Sequence, residues 1–520
     1  MNTIKNIIIL CLTIVILWIT KPLDVIEEYS ESKKINYIIH QIYENYVDSI
    51  DVNSLTESSI EHMLQNLDPH SYYLNSEQVS STMEMMKGSF EGIGVEFSIH
   101  RDTIIIVNVI PGGPSEKKGI VAGERIIFIE DENVAGVNIS NEGVIKRLRG
   151  KGGTKVKVGL VTTQDTTVRF INITRGKIPL NSIDVSYEIA PNIGYIKLNR
   201  FSGTTSKEFN QALKDLITKN KINSLILDLR GNSGGYLDEA IDILNEFFNS
   251  GKLLVYTKGK ARKEEKYFSD YTGSFKNGEI CVLIDGDSAS ASEILAGAIQ
   301  DHDRGIIVGE KSFGKGLVQE QIPLKDGSLI RLTVARYYTP SGRCIQKPYE
   351  TLDGGEYTYD DAIYNNQPFA TDSLQKFYTN NGRVVYGGGG ITPDHIVASN
   401  RDYMSPVLVL LYTSDFFNNL IFDYVDTHRT QFMGSTFKEF QLSKQDSEIM
   451  LDKIKIWLTE NTEEISSQKD ILDEIKLHEK IIIKRLHALI IRQQWGWGEM
   501  QIFLNESDEV ISTSLSLLQN

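Results

Sequence analysis

Residues 285–319 read DGDSASASEILAGAIQDHDRGIIVGEKSFGKGLVQ, a stretch that sets a serine cluster and a glycine-flanked lysine in one structural unit. Just before it, Ile280-Cys281-Val282-Leu283-Ile284 is a short apolar run suited to a buried strand. From Ala291 the apolar positions Ile294, Leu295, Ala298 and Ile299 recur with helical spacing, so the serines fall at a strand-to-helix junction. A helix start offers unpaired backbone N–H groups and a partial positive charge, which is what a developing oxyanion needs. Gly305-Ile306-Ile307-Val308-Gly309 reads as the next buried strand, and the loop after it holds Lys315 between Gly314 and Gly316. The combination points to serine–lysine hydrolysis. Spacing alone does not choose among Ser288, Ser290 and Ser292.

A lysine takes a proton from a serine only when neutral, and moving its pKa from about 10.4 to about 7 costs roughly 4–5 kcal/mol, a shift that burial can supply. The flanking glycines allow close backbone approach, and Gln319 offers an amide oxygen that can hold the amine. Four residues span about 13 Å along a strand but about 6 Å along one helical turn, so a coiled or bulged backbone is expected between Lys315 and Gln319.

Two motifs compete with this reading. Gly309 to Lys315 spells G-x-x-x-x-G-K after a strand pattern, but Gly316 stands where a phosphate-binding loop needs Ser or Thr. Gly231-Asn232-Ser233-Gly234-Gly235 matches the nucleophile elbow G-x-S-x-G between a strand at Leu225–Leu229 and a helix at Leu237–Phe248. An esterase built on Ser233 would also need an acid and a histidine, and His302 and His395 carry no supporting motif. Both loops also read simply as tight strand-to-helix turns.

The chain resembles the carboxyl-terminal processing (tail-specific) proteases. The resemblance rests on SASASEI, on Gly309-Glu310-Lys311-Ser312-Phe313-Gly314-Lys315-Gly316 with Gln319, on Arg336-Tyr337-Tyr338-Thr339-Pro340-Ser341-Gly342, and on Gly390-Ile391-Thr392-Pro393-Asp394. It implies Ser290 as nucleophile, Lys315 as general base and Gln319 as the residue that positions it. It also implies an oxyanion hole from the N–H of Ala291 and of Gly234 or Gly235, which leaves Ser233 a bystander. The segment Leu67–Tyr73 shares the resemblance, and His70 within it reads as structural.

Upstream, Gly92-Ile93-Gly94-Val95-Glu96-Phe97, a hairpin signal at His100–Thr103, the break Pro111-Gly112-Gly113-Pro114 and Lys118–Ile126 resemble a PDZ domain. Gly119 departs mildly from a position where that family often has alanine. The resemblance implies that an extended C-terminal peptide adds to a sheet edge, its carboxylate held by backbone N–H groups of the loop Glu91, Gly92, Ile93 and Gly94 and its alternate side chains meeting apolar residues such as Ile93 and Val95. The implied partners are proteins or peptides with accessible, apolar C-termini.

Composition sets the compartment and excludes some partners. Ile7–Ile19 is about 20 Å of apolar helix, short for a bilayer but suited to an export signal or marginal anchor, though no small-x-small cleavage site follows. Together with the family resemblance, this segment leads us to expect a bacterial cell-envelope protein on the periplasmic side, exported or membrane-anchored. A net charge of −15 argues against nucleic acid. Three cysteines make no disulfide framework, nine histidines show no ligand spacing, and neither metal nor cofactor is expected. The expected architecture is α+β and multidomain: an export segment (1–23), a helical N-terminal segment (24–87), an inserted PDZ domain (88–176), a β-rich α/β serine protease core (177–400, with a surface excursion at 349–382) and a helical C-terminal domain (401–520). Trp495-Gly496-Trp497-Gly498 reads as helix-end packing or an aromatic knob for a partner. A homo-oligomer or a regulatory partner is left open. The rival function is a non-catalytic PDZ scaffold or chaperone, which has no use for a desolvated lysine.

Overall fold

The computed structural model describes residues 22–162, 165–351, 357–359, 375–398, 405–432, 434–461 and 468–519. The apolar run Ile7–Ile19 and most of the 349–382 excursion lie outside the described residues. The chain divides into two compact units, one of residues 1–79, 319–333 and 349–358 and the other of residues 80–318, 334–348 and 359–520.

In the first unit, Asp51 caps the helix Val52–Gln65, its side chain accepting from Asn53 N. Strand Tyr72–Leu74 pairs antiparallel with Leu329–Arg331. The turn before it is organised by Asp68, whose carboxylate accepts from His70 N, Ser71 N and Ser71 Oγ at 2.7–2.8 Å. His70 is buried in that turn, in keeping with a structural role.

The second unit begins with an antiparallel sheet of β1 (Val95–His100), β2 (Thr103–Val109), β3 (Arg125–Ile129), β4 (Lys155–Val161) and β5 (Arg169–Thr174), with helix α1 (Asn141–Leu148) between β3 and β4. Arg101 and Asp102 join β1 to β2 with φ of 46° and 55°, the left-handed pair that a two-residue hairpin requires. Ile104, Ile106, Ile126, Val144, Leu148, Val156 and Val158 fill the core between sheet and helix. A ladder of Ser89–Gly92 with Gly176–Pro179 closes this module at its base.

Next comes a six-stranded sheet in chain order: β6 (Ile183–Ala190), β7 (Ile193–Leu198), β8 (Ser224–Asp228), β9 (Glu279–Ile284), β10 (Ile306–Gly309) and β11 (His395–Ile396). β6 and β7 are antiparallel and the rest run parallel. Helices α2 (Thr205–Asp215), α3 (Leu237–Asn245) and α4 (Ala291–Asp301) cover one face, against Leu198, Leu225, Leu227, Ile280, Val282 and Ile284. The alternate residues Tyr195, Ile226, Cys281, Leu283 and Val308 point to the other face. That is why these strands read as continuous apolar runs.

The C-terminal region holds α5 (Asp415–His428), α6 (Gln468–Trp495), α7 (Trp497–Asn505) and α8 (Glu509–Gln519). Its own core joins Phe417, Ile421, Met450, Ile454, Ile475 and Ile482. Trp495 is packing: its ring meets Phe432 and Phe440 and its Nε1 donates to Ser435 O. Trp497 is 48% exposed, with the Arg492 guanidinium 3.9 Å above its ring. α8 leaves the helical cluster and places Val510 and Ile511 on the second face of the six-stranded sheet. The G-x-x-x-x-G-K loop after β10 leads into a strand, Leu317–Pro323, and not into the helix that phosphate binding requires.

Candidate active site

The three serines separate by what their hydroxyls do. Ser288 and Ser292 are fully buried, and each donates to a backbone carbonyl of the loop after β8: Ser288 Oγ to Leu229 O at 2.9 Å, Ser292 Oγ to Asn232 O at 2.8 Å. Ser290 is half-buried and stands at the N-cap of α4 with φ 54° and ψ −112°. A β-carbon at positive φ costs on the order of 1–3 kcal/mol and is a recurrent mark of functional sites. The turn is held rigidly, Tyr337 Oη donating to Ser290 O at 3.1 Å.

Glu293, one turn into α4, organises the site. Its Oε2 accepts from Ser290 N at 2.9 Å and from Lys315 N at 2.8 Å. Its Oε1 accepts from Ser312 Oγ at 2.6 Å and Gly314 N at 2.7 Å. One fully buried carboxylate thus ties the serine turn to the lysine loop, and burial pushes its pKa up to about 7 against the pull of these four donors. The glycines beside Lys315 are required by close approach: a β-carbon on Gly314 would lie 2.9 Å from Lys347 Cβ, and one on Gly316 2.8 Å from Gln346 N. In the same loop, burial and the neighbouring Lys347 bring the Lys311 pKa down to about 8. The backbone is irregular through Gly316 and becomes a strand at Leu317. In the other unit, Gln319 donates its side-chain N–H to His70 O.

The loop after β8 lies directly against the serine turn. A β-carbon on Gly234 would fall 2.6 Å from Ala289 O and 2.9 Å from Ala291 N, which only glycine at φ 95° avoids. Gly234 N donates to Asn232 Oδ1 at 2.9 Å, so that N–H is taken. Gly235 is exposed, and the bridge to Phe201 runs through Gly234 O and Tyr236 N and passes over its N–H. Ala291 opens α4, and the N–H groups that follow it are already used, Ser292 N donating to Ala289 O at 3.1 Å and Glu293 N to Ser290 O at 2.9 Å. Ser233 is exposed in the same loop. Sequence reasoning passed over Glu293 and Asn232. The first had a signal, because Ser290-x-x-Glu293 before an apolar run is a capping-box pattern.

A model of peptidase family S41 matches residues 192–353, a PDZ domain model matches residues 80–161, and a family of unknown function matches residues 408–496. A carboxy-terminal-processing protease of Bartonella bacilliformis is 37% identical over 322 residues, which are 61% of this chain and 73% of that protein. The chain belongs to peptidase family S41. The carboxy-terminal processing protease CtpB of Bacillus subtilis is 36% identical over 60% of this chain and 65% of its own length. Among solved structures, a photosystem II D1 C-terminal processing protease is similar at 25% identity and a TM-score of 0.37, over 73% of this chain and 92% of that one. This S41 peptidase is of the serine type, carries a PDZ domain and acts on peptides or proteins.

In the peptidase, Glu91 and Gly92 belong to the basal ladder, and the Glu91 side chain accepts from Gly152 N at 2.9 Å. Ile93 O accepts from Ser115 N and Ser115 Oγ, and Gly94 O from Ile110 N. Because a trans peptide sets N–H opposite to C=O, the N–H groups of Gly94 and Val95 point away from those partners. The bond from Ile110 N also makes Val95 and Val109 a pair without mutual hydrogen bonds, which turns the Val95 N–H to the outer edge of β1.

Proposed function

We propose that the protein is a serine endopeptidase of the cell envelope that captures accessible protein C-termini through its PDZ domain and hydrolyses peptide bonds with a Ser290–Lys315 dyad. The observation that carries this reading is the single Glu293 oxygen shared by the N–H groups of Ser290 and Lys315, which keeps the two segments side by side. In the proposed reaction the neutral Lys315 amine takes the Ser290 Oγ proton as that oxygen attacks the scissile carbonyl carbon. The oxyanion is met by the N–H of Ala291 and of Gly235, the loop glycine whose N–H the internal bonds pass over. The lysine ammonium then gives the proton to the leaving amine, and water releases the acyl group by the same route. Gln319 is the proposed positioning residue for Lys315. The apolar run Ile7–Ile19 supports export or marginal attachment to the envelope.

The test is turnover of an unfolded protein substrate by purified enzyme. Ser290→Ala and Lys315→Arg are each expected to remove nearly all activity while folding normally, since arginine stays protonated and cannot act as base. Ser233→Ala and Lys311→Met are expected to keep most of it. A folded, inactive Ser233→Ala protein beside an active Ser290→Ala one would overturn the assignment, and turnover by Lys315→Arg would assign the serine proton to another base.

A further inference from the structure

We infer that Asp508, in the C-terminal region, is a positioning residue for the oxyanion loop and acts through Arg230. The inference rests on the proposed role of that loop. Arg230 is the residue that leads β8 into Gly231–Gly235, and its guanidinium is held on two sides. Its Nε and Nη2 donate to the Asp228 carboxylate at 2.7–3.2 Å, and its Nη1 donates to Asp508 Oδ2 at 2.8 Å. Asp228 is fully buried; burial opposes its charge, but Arg230 and Lys197 beside it hold its pKa well below the usual carboxylate range. Lys197 Nζ donates in turn to Arg230 O at 2.6 Å, so both the side chain and the backbone of Arg230 are tethered.

The loop continues from this tether to the serine turn without a gap. Gly231 N donates to both oxygens of Asp285 at 3.0 Å. Asp285 Oδ1 also accepts from Ser288 N at 3.0 Å, two residues before Ser290. Asn232 O then accepts from Ala289 N at 3.0 Å. The position of Gly234 and Gly235 relative to Ser290 is therefore set by a chain of short bonds whose outer end is Asp508.

Asp508 does two things with two oxygens. While Oδ2 holds Arg230, Oδ1 accepts from Val510 N at 2.8 Å and Ile511 N at 3.1 Å and so caps α8. The helix it starts is the one that covers the second face of the six-stranded sheet, through Val510 and Ile511. Docking of α8 thus delivers a carboxylate to the oxyanion loop. The completed loop requires the last segment of the chain, 278 residues away in sequence.

Asn and Ser are both good helix caps, so Asp508→Asn and Asp508→Ser keep the start of α8 and remove only the charge facing Arg230. Each is expected to lower kcat about tenfold with KM unchanged, a smaller loss than outright removal of an oxyanion donor. Labelling of Ser290 by a fluorophosphonate, which needs no peptide binding, is expected to slow by the same factor. Val510→Ala is the control: it weakens α8 packing without touching Arg230, and is expected to lower Tm while kcat holds. Wild-type kcat and labelling rates in both Asp508 variants, or losses no larger than those of Val510→Ala, would overturn the inference. An active Ser290→Ala enzyme would instead overturn the site reading on which it rests, so the two failures are distinguishable.

Discussion

Burial and hydrogen bonding pull the Glu293 carboxylate in opposite directions. Burial wins and raises its pKa from 4.5 to about 7, despite four donors that favour the charge. Between those two values the folded state holds a proton that the unfolded state has released. Stability therefore falls as pH rises from about 4.5 to about 7, by up to about 3 kcal/mol from this group. Glu293→Gln is expected to flatten that slope, read as the urea midpoint at pH 5 against pH 7.5. An amide offers one oxygen where the site has donors facing two, so the same variant is expected to lose activity at least tenfold. An unchanged pH slope in that variant would mean another group titrates. Glu293 lay in plain view in the stretch 285–319, but no local pattern shows that residues 312–315 fold back onto its carboxylate. Apart from the family resemblance, what sets Ser290 apart from its neighbours was invisible there, because the partners that occupy Ser288 and Ser292 sit 59 and 60 residues upstream.

At the scale of elements, the PDZ module presents two different sides. Val95, Phe97 and Ile99 of β1 face the apolar core near α1, leaving an edge beside a helix where an extended peptide can add. The back of the sheet is tied to α5: His100 Nε2 lies 3.0 Å from Asp423, Arg101 pairs with Asp423, and Arg125 with Asp426. Deleting residues 88–176 would expose that face of α5 as well as remove the groove, so loss of activity would not isolate recognition. Amidation of the substrate terminus does, because it removes the carboxylate charge and leaves every side chain in place. Below saturation, substrates with free apolar termini are expected to be cleaved several-fold faster than the same chains amidated. Equal rates would mean that Gly94 and Val95 capture no carboxylate. The glycine loop and the hairpin were legible from turn residues and alternation, but the pairing of the hairpin with α5 was not: residues 100 and 423 share no local pattern.

For the molecule as a whole, the apolar runs of β8, β9 and β10 announced a sheet buried on both faces, and helices α2 to α4 account for only one. The cover for the second face came from the end of the chain, where a helical pattern looked like part of a separate C-terminal domain. Periodicity gives a helix an apolar face but not the surface it meets. The second face, with Ile193, Tyr195, Ile226, Leu283 and Val308, is packed in part by Val510 and Ile511 of α8. Val510 and Ile511 alone contribute about 3–6 kcal/mol of burial, a large share of a typical 5–15 kcal/mol of stability. A chain ending at Ser507 is therefore expected to be insoluble or to melt about 10–20 °C lower. Removal of residues 1–21 is expected to leave Tm and peptidase activity in place. Thermal melts of both truncations against the full chain decide the point: a chain ending at Ser507 that melts within about 3 °C of the full chain would show that the sheet is stable with its second face open.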